Sequence, residues 1–474
     1  MLSVLRELPK LRVASRAALL HMGRATTEGT QAFIANANVA TQRALQLPTA
    51  TVAITPLGYG SPVLFTKESQ LLHQLKEAVL THQHNFVQTH FWYTVPSQAE
   101  AVSVTHAAEP IALNELFSED SVPRENIVLS ALLDDKIDGA ALRLDEKLSP
   151  EAVTYQIERI RRALDVETVD VVLLRLPSEL VDTHDKALLQ GAIAALEGSI
   201  AAGHIQGYGF AFPSSSSPEA TDAFVRRVLF ADDVWQPGCV ALQVPVNVQS
   251  NLAFAVHREK KGVALLGEQP LDVNVLAGGD PKPLHLATMP AKLSGDEIAA
   301  KLKETFAFAL NVEQKYRETI YPANATSVPS PDEIAWAHIL AYQHEQFDNF
   351  AEWVYIRETQ ILPRIEAILE TLNQVEATKE FSFAYSFAIR DLLRYFDASI
   401  EMIAANDAKD IHDQLTTFGV PSSSLEEAAV RVALSSAADC VLVADDFEAR
   451  RALQDNARLP QDVLAAIQAH RWQS

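Results

Sequence analysis

Few residues of this chain have the type and spacing to do chemistry. In Asn85-Phe-Val-Gln-Thr-His-Phe-Trp-Tyr93 an apolar run leads to a tyrosine five residues after Gln88. A phenol ionises near pH 10, so a Tyr acting alone is a weak acid catalyst at neutral pH. Fourteen histidines are scattered, and neither His82 with His84 nor His338 with His344 has the company of a metal site. Cys239 and Cys440 lie about two hundred residues apart without ligand-like neighbours. They read as buried, inert thiols rather than a zinc site or a disulfide. No Walker loop, Rossmann glycine fingerprint or Ser-His-Asp arrangement occurs. Ser214 to Ser217 reads as a loop, with Ser217 capping a helix that starts at Pro218.

The elements that must position these residues alternate. From about residue 50, short β-branched runs are separated by longer helical patterns, which predicts parallel βα units. Strands are expected at 51–54, running into Pro56-Leu-Gly-Tyr-Gly60, then at 86–89, 127–130, 169–174, 206–211, 240–244, 263–266 and 439–443. The mostly apolar Val169-Asp-Val-Val-Leu-Leu174 suits a strand buried on both faces. Helices are expected at 67–82, at 149–164 with Ser149 as N-cap and Pro150 in the first turn, at 186–202 ending at Gly203, and at 218–230. Eight strands with helices between them predict an α/β fold, a (β/α)8 TIM barrel. Between Gly279 and Ser422 no strand pattern is visible. Ser294-Gly-Asp-Glu297 opens a run of helices, in which Ile361, Leu362, Ile365, Ile368 and Leu372 share a face. The expected layout is a basic N-terminal extension over 1–45, the barrel over 46–281 and 423–474, and an all-α insertion over 282–422, before the last strand. An insertion of that size suggests a subdomain or docking surface.

Charge narrows the partners. In 474 residues, 39 basic side chains face 61 acidic ones, a net charge of −22. Residues 1–27 run the other way: Arg6, Lys10, Arg12, Arg16 and Arg24 against Glu7 alone give +4, leaving −26 for the remainder. An Arg-rich, acid-poor start that can form an amphipathic helix reads as a mitochondrial targeting segment, with a docking arm as the alternative. So acidic a body repels phosphate backbones and excludes nucleic acid as the expected partner. No apolar stretch approaches the roughly 20 residues that span a bilayer, so no transmembrane segment is expected.

On the motif ending in Tyr93, the chain resembles the aldo-keto reductase superfamily, in which such a strand ends in Asp-Thr-Ala with Tyr five residues after the Asp. Arg124-Glu-Asn-Ile-Val-Leu-Ser130 is similar to that family's run into the third strand, and Leu164 to Pro177 resembles its fourth-strand motif, with Asp170 in place. Gly203-His-Ile-Gln-Gly-Tyr-Gly-Phe-Ala-Phe212 is similar to the Gly-Lys-Ile-Arg segment. The resemblance covers about three fifths of the chain. It implies a catalytic tetrad in which Tyr donates a proton to a carbonyl, assisted by Lys and His, with Asp supporting Lys. Tyr93 is the retained position, whereas Gln88, Leu132 and Arg175 occupy the Asp, Lys and His places. Lys136, about one turn beyond Leu132, is read as part of a solvated charged loop with Asp134, Asp135 and Asp138 and not as the substitute, and Arg175 cannot exchange protons as His does.

For the cofactor, the resemblance keeps only Gln243. Ala211 and Phe212 stand where Ser and Asn would hold the nicotinamide, Phe212 being the one aromatic left to stack on it. Glu268 falls where a neutral residue is expected, and Asp445, Asp446 and Glu448 where phosphate contacts would be, with Arg450 and Arg451 following. The expectation is therefore no cofactor, with NADP as the alternative. The reading that follows is a non-catalytic aldo-keto-reductase-like accessory subunit, bound to other protein subunits of a mitochondrial assembly such as a respiratory-chain complex. The alternative is a diverged NADP-dependent reductase of aldehydes or sugars using Tyr93 with Arg175, and a nucleotide-sensing barrel comes third.

Overall fold

A computed structural model describes residues 23–37, 43–60, 68–90, 113–119, 122–133, 136–137, 140–141, 143–213, 218–231, 236–250, 252–257, 262–277, 280–286, 294–344, 347, 350–443, 458–470 and 472. Its strands in chain order are β1 (Arg43–Gln46), β2 (Thr51–Ile54), β3 (Leu57–Gly60), β4 (Phe86–His90), β5 (Val128–Leu133), β6 (Lys136–Ile137), β7 (Ala140–Ala141), β8 (Val169–Arg175), β9 (Ile205–Ala211), β10 (Cys239–Pro245), β11 (Ala264–Glu268), β12 (Asp272–Ala277), β13 (Asp280–His285) and β14 (Cys440–Val443). Eight of them close into a parallel barrel in the order β3, β4, β5, β8, β9, β10, β11, β14. This is the expected (β/α)8 architecture, and the long helical region precedes its last strand.

The barrel helices follow local chemistry. Ser149 Oγ accepts from the Ala152 amide and Pro150 opens the helix Pro150–Ala163. Asp185 caps Lys186–Ala201, and Gly203 takes the left-handed φ of +74° that ends it. Inside, apolar residues of the strands meet one another: Phe86, Val128, Val171, Leu173, Ala241, Leu266 and Leu442 form one buried cluster. Room for Leu173 comes from Gly209, where a Cβ would lie 2.7 Å from Leu173 Cδ2 and 2.2 Å from the Ala241 carbonyl oxygen.

Besides the short strands β1, β6, β7 and β12, which the sequence reading does not place, two strands depart from it. Thr51–Ile54 is not a barrel stave. It pairs antiparallel with β1, and Leu45, Leu47, Val52 and Ile54 pack onto the interior cluster and floor the barrel. The first stave is Leu57–Gly60, whose two glycines hide it from propensity. They are needed there, since a Cβ on Gly58 would stand 2.9 Å from the Phe86 carbonyl and one on Gly60 2.8 Å from Leu442 Cβ. The second departure is β13, which pairs with β12 although it carries Pro281 and Pro283. Proline is tolerated at an edge that needs no further donors, and this sheet has only two strands.

The floor is tied by one buried carboxylate. Asp170, fully buried, accepts from Arg124 Nη2 at 2.9 Å, the Leu129 amide at 2.7 Å, the Ala25 amide at 2.8 Å and Gln206 Nε2 at 2.6 Å. Asn85 extends the tie: its amide accepts from the Thr55 N–H and donates to the Ala53 carbonyl.

The inserted helices bury a second cluster that includes Trp353, Tyr385, Leu392 and Phe396. Its first helix, Gly295–Lys315, opens on a capping box between Ser294 and Glu297, as its sequence requires. Ile361, Ile365, Ile368 and Leu372 are buried in this cluster, with Leu362 packed at its edge. The last turns of Lys379–Asp407 and the helix Lys409–Thr417 place Ala404, Ala408, Ile411 and Leu415 in the core shared with the barrel helices.

Asp170→Ala leaves the Arg124 guanidinium buried without its anion, a class of change that costs about 3–5 kcal/mol. Urea unfolding of this variant should show a loss of that size. A loss under about 1 kcal/mol would mean that the floor does not depend on the pair.

Candidate functional site

The candidate site is the C-terminal end of the staves, where barrel enzymes place their chemistry. In-register pairing brings Gln88 beside Ser130, His90 beside Leu132, Leu132 beside Leu173, and Arg175 beside Ala211. Above the apolar cluster the mouth therefore turns polar.

The polar residues satisfy one another across the barrel. Gln88 Nε2 donates to Gln243 Oε1 at 2.6 Å, and Gln243 Nε2 donates on to Glu268 Oε2. Arg175 Nη2 stands 3.7 Å from the same carboxylate oxygen, with about a quarter of its side chain exposed. Gln88, Gln243 and Glu268 are buried. β4 is thus linked across the barrel to the neighbouring pair β10 and β11 by side chains, which rigidifies the mouth when every group is paired. Among the described residues, pairing is incomplete at two atoms: Glu268 Oε1 and Ser130 Oγ are buried with no hydrogen-bond partner. Burial pushes the Glu268 carboxyl above the usual carboxylate range, against the pull of Arg175 and the Gln243 hydrogen bond.

Of the tetrad positions, Gln88 holds this network, Leu132 is a 4% exposed apolar side chain of the interior cluster, and Arg175 borders Glu268. None of the three moves a proton at neutral pH. Tyr93 lies outside the described residues, as do Phe91, Trp92, Arg450, Arg451 and the carboxylates of 445–448. Phe212 is not at the mouth. It is fully buried in the core beneath the barrel helices and meets Phe224 edge-on at 6.1 Å. That outward turn continues the alternation of its strand: Tyr208 and Phe210 share the same outer core, whereas Ala211 faces the interior cluster.

Glu268 is the residue whose role sequence reasoning missed. The signal available was a carboxylate closing the apolar run Val263 to Leu266, a position where burial without a partner is costly. Asn247 and Gln249, beyond β10, are structural: Asn247 Oδ1 accepts from the Gln249 and Ser250 amides, and Gln249 exchanges hydrogen bonds with the Asn274 backbone. They moor the β12–β13 hairpin beside the mouth. Cys239 and Cys440 are free and buried, with burial raising both thiols far above their ordinary values. Among the described residues no group of three His, Cys, Asp or Glu could hold a metal ion, and no helix is long and apolar enough to cross a membrane.

A closed parallel (β/α)8 barrel with this stave order is the architecture that the aldo-keto reductase resemblance implies. Three solved structures similar to this chain are aldo-keto reductases. An aldo/keto reductase from Klebsiella pneumoniae in complex with NADP and acetate is 16% identical over 49% of this chain and 69% of that one, with a TM-score of 0.33. An aldo-keto reductase from the same organism in complex with NADPH is also 16% identical over 49% and 69%, with a TM-score of 0.32. The holo form of one from Bacillus halodurans is 16% identical over 73% of this chain and 96% of that one, with a TM-score of 0.34. At such identity the likeness concerns the fold alone. No family model matches the chain, and no curated protein matches it.

One expectation is corrected by these structures. The sequence reading expected no cofactor, and two of the similar barrels are complexes with NADP or NADPH. The residues described at the nicotinamide end do not match the family's way of holding it. Ala211 has no side-chain donor, Phe212 is turned away, and Gln243 is committed to Gln88 and Glu268. A cofactor at this mouth would need contacts of another kind.

The raised Glu268 pKa fixes a pH dependence. A carboxyl that holds its proton more tightly folded than unfolded contributes stability below the ordinary carboxylate range and loses it as the pH rises through the folded value. Glu268→Gln keeps the shape without the titration. Its melting temperature should gain on the wild type as the pH rises above the ordinary carboxylate range of about 4, and melting curves that stay parallel would show that the Glu268 pKa is not raised on folding.

Proposed function

We propose that this chain is an accessory subunit of a mitochondrial assembly, built on a barrel of aldo-keto reductase type that no longer carries out that family's proton transfer. The observation that carries this reading is the content of the tetrad positions. Gln88 is tied into an amide network, Leu132 is buried among apolar neighbours, and Arg175 is a fixed cation. General acid catalysis needs a group poised to give up a proton near working pH, and these three are not such groups. Further support comes from the helices between 294 and 417, which bury a core of their own beyond anything the barrel needs for closure. We assign docking to this region, with a respiratory-chain complex as the host to test first. The basic segment of residues 1–27 supports mitochondrial import. Processing would have to fall before Gly23, because Gly23 and Ala25 bond Glu167 and Asp170 of the barrel floor.

A second reading rests on Glu268. A buried carboxyl whose pKa is raised by burial, with one oxygen unpartnered among the described residues, beside Arg175, is a group that could serve as a proton source. A diverged reductase of aldehydes or sugars would use it with NADPH as hydride donor. The fold likeness makes NADPH the cofactor to try, and fold alone does not decide activity.

On native gels of mitochondrial extract the protein should migrate with a very large complex, and a free chain would overturn the subunit reading. Deleting residues 282–422 should release it. NADPH oxidation by the purified chain over a panel of aldehydes and sugars, abolished by Glu268→Gln, would instead establish the second reading.

A further inference from the structure

The long helix Lys379–Asp407 turns a patterned line of side chains to solvent. Glu380, Phe383, Phe387, Arg390 and Arg394 are all exposed, at spacings of three, four, three and four that keep them on one face. Phe383 is 78% and Phe387 61% exposed. Phe308, on the packed helix Gly295–Lys315, is 45% exposed and meets Phe387 edge-on at 6.5 Å. The two helices already bury another set, including Leu302, Ala309, Tyr385, Leu392 and Phe396, so these three rings are surplus to the fold. Clustered exposed rings of this kind mark a contact surface.

The order of charges identifies what covers it. Along the helix the face reads acidic, aromatic, aromatic, basic, basic. Reversed and laid against itself, the line is complementary: acid meets base at either end and ring meets ring in the middle. We propose that the face binds a second copy of this chain about a two-fold axis crossing the helix between Phe383 and Phe387. In that isologous contact the two helices run antiparallel, Phe383 faces Phe387 of the partner subunit, and Glu380 faces Arg390 of the partner subunit.

Neighbouring charges leave this pattern intact. Lys301 is paired with Glu304 at 2.8 Å and Lys379 with Glu376 at 2.5 Å. Asp391 is half-buried, and Arg390 donates to Ser386 Oγ on its own helix at 3.2 Å. Arg394 lies over the ring of Tyr395 at 5.5 Å. Among the described residues Glu380, Arg390 and Arg394 enter no ion pair, so the contact breaks none. Three rings from each copy, with the charged ends, supply a large part of the roughly 1,000 Å² that a specific interface must clear. Glu380 at one end disfavours an anionic membrane as the occupant, which would be met by basic and apolar groups alone.

The pairing does not depend on the subunit reading, and its test uses the purified full chain. Sedimentation equilibrium should give twice the 52.0 kDa chain mass. Phe387→Glu, Glu380→Arg and Arg390→Glu should each weaken association by at least about tenfold. Combining Glu380→Arg with Arg390→Glu in one chain should restore it, an outcome that a folding defect cannot produce. A wild-type chain that stays monomeric at about 100 μM, or a dimer indifferent to these changes, overturns the proposal. A monomer that sediments with anionic phospholipid vesicles through Phe383 and Phe387 would also overturn it, assigning the face to a membrane.

Discussion

The floor of this barrel depends on a carboxylate that water cannot reach. Asp170 is held by one guanidinium, two backbone amides and one side-chain amide, drawn from three separate stretches of chain. A buried charge persists only when its lone pairs are filled, and here each of the two oxygens takes two donors. The geometry leaves little freedom. The N-terminal segment must pass under β8, Arg124 must precede β5, and Gln206 must sit low on β9. The β1–β2 hairpin then has a fixed bed, and the interior cluster is sealed from below.

From that floor upward the barrel changes character with height. Apolar side chains fill its middle, and a neutral amide relay joined to Glu268 fills its top. In a reductase of the family this chain resembles, the top layer is a set of ionisable groups poised against one another. Here Gln88 and Gln243 exchange hydrogen bonds instead, which fixes their orientation and keeps charge out of the centre. The remaining charges, Glu268 and Arg175, stand together at one side of the mouth. Where the family that this chain resembles places Asp, Gln88 supplies a donor and an acceptor that bridge the barrel.

Much of this was legible from residues that act locally. Ser149 with Pro150, Gly203 and Ser294 with Glu297 mark helix ends because each satisfies orphan backbone groups within a few positions. The run Val169 to Leu174 marks its strand because burial on both faces demands apolar residues. Two strands were hidden for opposite reasons. Leu57–Gly60 has glycines that a crowded interior requires, and β13 has prolines that its edge position permits. The Gln88–Gln243–Glu268 chain could not be read at all, since it joins residues up to about 180 positions apart whose meeting depends on barrel closure. The outward turn of Phe212, by contrast, was legible, since it continues the alternation of Tyr208 and Phe210.

The last stave is only four residues long, yet it must bond β11 on one side and β3 on the other to complete the ring. More than 150 residues separate it from β13, so seven staves leave the ribosome well before the eighth. Until then β3 and β11 each present an open edge, the kind of surface that recruits other strands and promotes aggregation. The intervening helices are rich in local contacts and can fold on their own schedule, and packing them shortens the gap that the chain must bridge to deliver Cys440–Val443. In the order of synthesis, the helical region stands between an unfinished barrel and the strand that finishes it.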